Sequence, residues 1–303
     1  MRRLPAAAAA VGLMTLALVG CSSSAASGCD RPASAGSIGS LVTVSGDDNT
    51  VAPTVQVSSP MNLDGVQYDD LVAGDGSAIV ADNQVVDVGF TLADATSGEV
   101  LAAEGYDKPL YLPLNGLTQA MPGLKSALEC ATGGSRIVIG LPADQIESGF
   151  LQQLRLPEGT PLVAVLDLRS VMLAAADGAP QYNEAHGMPS VVLTDDGHPG
   201  VVVPDGAAPS ERKVEVLKKG DHDVPADGST VVVNVLQVDW KSKRVTKTTW
   251  DDKPDAVALG GDSVVSQTIA GLPIGSQVLV VEPPADASSD ASIYVIDILG
   301  SLG

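Results

Sequence analysis

The sequence is poor in aromatic, basic and cysteine residues, and each shortage argues against a class of protein. Aromatic residues make up 3% of the 303 positions, and there are only three histidines and three cysteines. Lys and Arg number 17 against 37 Asp and Glu, which gives a formal net charge of −20. Because so acidic a surface repels phosphate backbones, nucleic acid is not an expected partner.

Motifs for hydrolysis or nucleotide binding are also missing from the sequence. No Gly-x-Ser-x-Gly, P-loop or zinc-ribbon spacing occurs. His186, His198 and His222 stand in loop-like stretches rich in Gly, Asp and Pro, so we assign no metal and no cofactor. Apolar residues make up 45% of the chain, which is enough for a core, while 32 Gly and 20 Pro predict many turns and only short helices.

The N-terminus has the pattern of an export signal. Arg2 and Arg3 precede an apolar run over residues 6–19, and the run ends in Leu18-Val19-Gly20-Cys21. This ending resembles the bacterial lipobox, in which the cysteine is acylated and becomes the mature N-terminus. We therefore predict a signal peptide over 1–20 and a tether over 21–37. The protein would sit on the extracytoplasmic face of the cell membrane, anchored by lipid on Cys21. The alternative is an ordinary signal peptide with a chance cysteine.

Export changes the meaning of the two remaining cysteines, Cys29 and Cys130. An even pair on the oxidising side of a membrane predicts a disulfide. It would close a loop of about 100 residues and stabilise the fold by about 4–5 kcal/mol in the chain-entropy model. Zinc is the weaker alternative, because no histidine is close in sequence to either cysteine.

A pattern that begins near residue 74 recurs in the second half of the chain. Gly74-Asp75 corresponds to Gly220-Asp221 at an offset of 146, and Gly134-Ser135 corresponds to Gly275-Ser276 at 141. Later landmarks keep their order while the offset falls to 130. Ordered landmarks with a drifting offset indicate a duplicated domain with loop deletions.

Each copy combines several strand-like runs with one short predicted helix, over 123–129 and 264–270. That composition predicts an α+β fold. We predict N-terminal strands plus a first domain over 38–173, a linker over 174–206, and a second domain over 207–303. Within the linker, residues 190–194 have the composition of a strand.

These residues resemble the FKBP-type peptidyl-prolyl cis-trans isomerases. The first copy matches over 74–171, most densely at 121–128 and 134–139, and the second matches less well over 214–302. The resemblance implies two tandem FKBP-like domains, each a curved antiparallel sheet wrapped on one short helix. The second domain would be degenerate.

The resemblance also implies a substrate pocket in the first copy. Such a pocket needs no nucleophile, because an apolar, poorly hydrated cup favours the twisted prolyl amide. The family positions carry over to Phe90, Leu101, Met121, Leu124 and Phe150, which we call the cup. The substrate-binding backbone N–H would belong to Met121. Phe90 and Phe150 are equally well explained as ordinary core residues.

Two functions from different classes follow from these observations. The first is peptidyl-prolyl isomerisation of proline-containing exported polypeptides, catalysed by the cup. The alternative is a non-catalytic chaperone or protein-binding lipoprotein. The family's Asp falls at Ala102 and its floor Trp at Leu124. The ring-poor cup therefore favours the alternative, whereas the retained Met-Pro-Gly-Leu stretch favours the enzyme.

Overall fold

A computed structural model describes residues 29, 31–182, 186–195, 197–284, 286 and 289–302. The predicted signal peptide, Cys21 and the start of the predicted tether lie outside the described residues. Within the described part, no helix is long and apolar enough to span a membrane.

The first half of the described chain is built mainly from strands. Its strands are β1 (Ser34–Ala35), β2 (Val42–Ser45), β3 (Thr54–Val57), β4 (Gln67–Val72), β5 (Val85–Asp94), β6 (Val100–Glu104), β7 (Tyr111–Pro113), β8 (Ser135–Leu141) and β9 (Leu162–Val171). Its helices are α1 (Ile38–Leu41), α2 (Leu114–Ala120), α3 (Gly123–Leu128) and α4 (Ser148–Gln153), with a 3-10 turn at Ala143–Gln145.

The second half has a similar set of strands and a single described α-helix. Its elements are β10 (Ala179–Pro180), β11 (Ser190–Leu193), β12 (Pro199–Val202), β13 (Lys213–Lys219), β14 (Thr230–Asp239), β15 (Val245–Thr248), β16 (Asp255–Ala258), α5 (Val264–Ile269), β17 (Gln277–Glu282) and β18 (Ser292–Leu302).

The two halves form sheets with the same strand order. The first sheet runs β1-β4-β8-β9-β5-β6, with β7 also on β5, and the second runs β10-β13-β17-β18-β14-β15, with β16 also on β14. Separate hairpins, β2–β3 and β11–β12, precede the long strands in each half. The sequence repeat therefore corresponds to a repeated sheet, in a first copy over 29–173 and a second copy over 174–302.

The structure corrects the sequence expectations at three places. One helix per copy is right for the described part of the second copy and wrong for the first, which has four short helices. The sheets are not wholly antiparallel, because β1 pairs with β4 in parallel. The repeat also begins earlier than expected, since the range 174–206 contains β10, which pairs with β13, and the β11–β12 hairpin.

Each central sheet is buried on both faces. In the first copy, α2, α3 and α4 pack on the inner face, where they join Ile137, Ile139 and Leu166 in one apolar cluster. The β2–β3 hairpin and α1 cover the outer face over Val138 and Val165. All seven residues of β8 are consequently buried, which explains why this strand is nearly continuous in apolar residues.

The second copy is covered in the same way by its own elements. Helix α5 packs on the inner face beside Val278 and Ile296, and the β11–β12 hairpin packs on the outer face beside Leu279 and Val295. The predicted linker is therefore the second copy's outer layer, equivalent to residues that precede β4 in the first copy.

Three contacts attach the N-terminal segment to the first copy. Cys29 and Cys130 form a disulfide with a Cα–Cα distance of 5.7 Å. Arg31 pairs with Asp70 at 2.8 Å and lies over the ring of Tyr68, 4.4 Å from its centroid. Strand β1 then adds to the sheet edge, so the last residues of the predicted tether belong to the fold.

The two copies meet through a small apolar cluster. Val85 and Met172 of the first copy pack against Val232 and Leu299 of the second. The backbone N–H of Leu173 donates to the Leu299 carbonyl at 3.0 Å. The chain that leaves β9 is thereby fixed to the last strand of the second copy.

A buried ion pair lies on the outer face of the first sheet. Asp167, on β9, is fully buried and accepts two hydrogen bonds from Arg136, at 2.6 Å from Nε and 3.0 Å from Nη2. The Tyr106 hydroxyl donates to the same carboxylate at 2.9 Å. Burial raises the pKa of Tyr106, so the phenol stays a donor, and the Asp167 hydrogen bonds raise the pKa of Arg136. Arg136 also donates to the carbonyl of Gly46 in the β2–β3 turn.

The second copy has a carboxylate at the same position with different partners. Asp297 pairs in register with Gln277, as Asp167 pairs with Arg136, and it is also fully buried. Its carboxylate accepts from Gln277 Nε2 and from the backbone N–H of Ala176, each at 2.8 Å. Burial raises the pKa of Asp297, because the loss of water outweighs the hydrogen bonds from Ala176 and Gln277 and the charge of Lys218.

We expect Arg136→Gln, which copies the residue of the second copy, to lower the free energy of unfolding by about 3–5 kcal/mol. The substitution leaves Asp167 buried without its cation. The measurement is denaturant unfolding of the single variant and of Arg136→Gln/Asp167→Asn, which should recover most of the loss. Lys243→Gln is the control, since it breaks a solvent-exposed pair with Asp205 and should leave the stability nearly unchanged. Equal losses for Arg136→Gln and Lys243→Gln would contradict the expectation.

The raised pKa of Asp297 predicts a pH-dependent effect of Asp297→Asn. Above the ordinary value of 3.8, the folded state retains the Asp297 proton more strongly than the unfolded chain, so this group's stabilising contribution falls as pH rises. Asparagine has no such proton. The stability of Asp297→Asn relative to wild type should therefore increase from about pH 4 toward neutral pH. A difference that stays constant over this range in denaturant titrations would refute the assignment.

Candidate functional site

The five cup residues come from five segments and meet in one apolar cluster. Phe90 lies on β5, Leu101 on β6, Leu124 on α3 and Phe150 on α4, while Met121 joins α2 to α3. Leu124 and Met121 are 0% and 4% exposed, and the other three are partly buried against the same inner-face cluster. The placement brings the predicted residues together, and their role as a substrate pocket stays a prediction.

The cup is filled rather than hollow. Leu124, at the position of the family's floor residue, is wholly enclosed by neighbours, so it forms core and not an open floor. The four main cavities among the described residues have other linings, and none includes a cup residue. Of the cup residues, only Phe90, Leu101 and Phe150 are therefore partly exposed to a substrate.

The backbone N–H of Met121 is not free, contrary to the sequence prediction. It donates to the carbonyl of Leu117 at 3.2 Å and closes the last turn of α2. A substrate carbonyl could accept from Met121 only after this hydrogen bond is broken. The donor that the family resemblance implies is thus already used by a helix that the sequence analysis did not predict.

Helix α2 is the part of the site that sequence reasoning missed. Leu114 and Leu117 are buried in the cup's cluster, and with Met121 they stand at i, i+3 and i+7, which is helical spacing. That signal was present in the sequence. It was obscured because the segment also contains Asn115, Gly116 and Thr118, which are poor helix formers.

The segment after Pro142, which the family resemblance makes a flap, is folded onto the cup. Leu151 of α4 is 2% exposed, and the N–H of Glu147 donates to the Ala120 carbonyl at 3.0 Å. Phe150, beside Leu151, packs against the cluster from this segment. The contact with Ala120 places the start of α4 against the end of α2.

The described residues of the second copy form no comparable site. Val235 stands where Phe90 stands in the first copy, since Phe90 pairs with Leu166 and Val235 with Ile296. Val235 is 1% exposed, and the surrounding cluster contains one partly buried ring, that of Tyr294. In the described ranges no group of three or more His, Cys, Asp or Glu residues is placed to hold a metal ion.

Comparison with known proteins gives fold neighbours at low similarity. No protein-family model matches the chain, and no curated protein matches it by sequence. The solved structures that resemble it are FKBP-type peptidyl-prolyl isomerases and multi-domain immunophilins, at low sequence identity.

Two of these structures show the level of similarity. The three FKBP domains of wheat FKBP73 match at 15% identity and a TM-score of 0.33, over 78% of this chain and 95% of that one. A peptidyl-prolyl cis-trans isomerase of Pseudomonas syringae matches at 22% identity and a TM-score of 0.29, over 36% of this chain and 76% of that one. Similarities this low carry no argument about the site, so the function must be argued from the contacts described above.

Proposed function

We propose that the first copy binds proline-containing segments of exported polypeptides on the cup, and that it acts chiefly as a non-catalytic folding helper. The observation that carries this proposal is the gathering of the cup residues in one cluster, with Phe90, Leu101 and Phe150 reaching the surface. Partly exposed apolar side chains suit proline rings, which are apolar and carry no backbone N–H donor.

Peptidyl-prolyl isomerisation by the cup is the second candidate function. It is favoured by the same gathering, since the reaction requires an apolar environment for the twisted amide and no acid, base or metal. It ranks second because the Met121 N–H is engaged within α2. The enclosed Leu124 also leaves no space in which an amide could lose its water.

The two functions are separated by measuring binding and isomerisation on the same mature chain. We expect a proline-containing peptide to bind and its cis–trans exchange to stay near the uncatalysed rate. Leu101→Ser should weaken binding by about tenfold, because it removes an apolar side chain from the contact surface. Val57→Ser is the matched control, since Val57 is also partly buried but packs on the opposite face of the sheet.

Two results would overturn the binding proposal: no peptide binding by the wild-type chain, or equal loss in Leu101→Ser and Val57→Ser. A clear rate enhancement that Leu101→Ser abolishes and Val57→Ser preserves would establish the isomerase instead. Leu124→Asp is unsuitable for this test, since a charge at a fully enclosed position unfolds the domain.

We further propose that the protein is exported and anchored by lipid on Cys21, as the lipobox-like ending of its apolar N-terminal run suggests. The Cys29–Cys130 disulfide supports export, since such bonds persist in oxidising compartments. Cys21→Ala should move the protein out of the membrane fraction and remove the lipid mass from its N-terminus. Wild-type protein without lipid, or with a mature N-terminus elsewhere, would exclude the anchor.

A further inference from the structure

Helix α2, which ends beside the cup residue Met121, is weak in its own right. Its residues, Leu114–Ala120, include Gly116 and Thr118, which are poor helix formers, and none of them is charged. The N-cap is Pro113, whose side chain cannot accept a hydrogen bond from the first turn. Isolated helices this short are unstable in water, so α2 depends on its contacts with the rest of the first copy.

The two ends of α2 are held by different contacts. At the start, two backbone N–H groups donate to carbonyls of the turn before β5, Leu114 to Gln84 at 2.9 Å and Asn115 to Asp82 at 2.8 Å. At the end, the Met121 N–H closes the last turn at 3.2 Å, and the Ala120 carbonyl accepts from the segment before α4. The last turn can therefore unwind while both contacts at the start stay in place.

Met121 fills part of the cup from this last turn. Its side chain is 4% exposed and belongs to the same buried cluster as Leu124, against which Phe90, Leu101 and Phe150 also pack. Methionine is unbranched and flexible, so it fills irregular gaps and can be replaced by other apolar groups. Unwinding of the last turn would withdraw Met121 from the cluster and leave an apolar space among the other cup residues.

We infer that the last turn of α2, residues 118–121, is a latch that keeps the cup closed. In the closed state Met121 occupies the cup, and in the open state a proline ring of the client takes its place. The inference rests on the proposed binding function of the cup and adds the regulation of that site. It accounts for five cup residues that gather around no cavity. The client selects a minor open state, so the apparent affinity is reduced by the fraction of open molecules.

Two substitutions in α2 should shift the opening of the latch in opposite directions. A Cβ at Gly116 would come no closer than 3.8 Å to Leu112, so Gly116→Ala fits and should stabilise the helix. Gln119 is exposed, so Gln119→Gly should weaken the helix without removing a packed side chain. Hydrogen exchange of the Met121 amide, which follows the open fraction, should slow by about threefold in the first variant and quicken by about threefold in the second.

Peptide affinity should follow the same order as the exchange rates. The probe is acetyl-Ala-Leu-Pro-Ala-amide, titrated into the purified mature chain. Gly116→Ala should weaken its binding by about threefold, and Gln119→Gly should tighten it by about threefold. A client that binds the closed cup would give the opposite result for Gln119→Gly or no change.

Two control variants make the same exchanges in other helices. A Cβ at Gly149 of α4 would meet no described atom within 4 Å, so Gly149→Ala stabilises a neighbouring helix and leaves α2 intact. Gln267→Gly weakens α5 of the second copy at an exposed position. Both should leave the Met121 exchange rate and the peptide affinity unchanged. Effects equal to those of the α2 variants would show a general change in stability and would overturn the latch.

The remaining outcomes separate this inference from the proposed function. If the wild-type chain binds the peptide and neither α2 variant changes the affinity, the latch is refuted while the binding role of the cup stands. A Met121 amide that exchanges as slowly as the amides of β8 would show that α2 opens only when the whole copy unfolds, which also refutes the latch. If neither the wild-type chain nor Gln119→Gly binds, the proposed function fails and the latch fails with it.

Discussion

The structure depends on the burial of each central sheet from both sides. Helices cover one face of each sheet and a hairpin covers the other. A polar group on a central strand therefore cannot hydrogen-bond to water and must have its hydrogen-bond partner within the chain. Asp167 and Asp297 stand at equivalent positions under this constraint. In the first copy, Arg136 donates hydrogen bonds to Asp167 and also to the Gly46 carbonyl of the β2–β3 turn. In the second copy, the backbone N–H of Ala176 donates to Asp297. The hydrogen bond that the buried carboxylate needs therefore also fixes the segment that joins the two copies.

The two copies share a second contact, which lies just past the ends of β4 and β13, beside the starts of β8 and β17. The N–H of Gly74 donates to Ser135 Oγ at 2.9 Å, and the N–H of Gly220 donates to Ser276 Oγ at 3.0 Å. A side chain on either glycine would collide with the backbone just before its serine, Gly133 in one copy and Ile274 in the other. These small residues were the clearest landmarks of the repeat because a backbone contact allows few substitutes, whereas the apolar faces accept many residues of similar volume.

The sequence predicted the features that are encoded locally and missed those that depend on distant pairing. The long strands and helices α3 and α5 follow from short apolar runs between turns, and the Cys29–Cys130 pair from the count of cysteines. The outer hairpin β11–β12 lies in the range predicted as linker, because its strands are four residues long and are flanked by Pro, Gly and Asp. The ion pair of Arg136 with Asp167 joins residues 31 apart. In the sequence, this ion pair is indicated only by the charges of its own two residues within the apolar runs that form β8 and β9.

In the candidate site, too, some features follow from the sequence and others depend on contacts that the sequence does not reveal. The family resemblance pointed to five residues, and the structure places all five in or against one apolar cluster. The resemblance could not show that Met121 ends a helix, since that depends on a hydrogen bond with Leu117 inside a segment of poor helix formers. Nor could it show the contact between the two copies at Asn83 and Trp250, which lie 167 residues apart in sequence.

The disulfide at Cys29 sets how far an anchored protein could move from its membrane. Only eight residues lead from Cys21 to Cys29, and a fully extended chain of that length spans about 28 Å. A lipid on Cys21 would therefore hold the end of α3, where Cys130 lies, within roughly one domain diameter of the bilayer. The first copy would then search for clients in a thin layer along the membrane, in two dimensions rather than three. Reduction of the disulfide would move the attachment point by only two residues, to Arg31, because the Arg31–Asp70 pair and the hydrogen bond from the Ala33 N–H to the Ser126 carbonyl of α3 would still hold the segment.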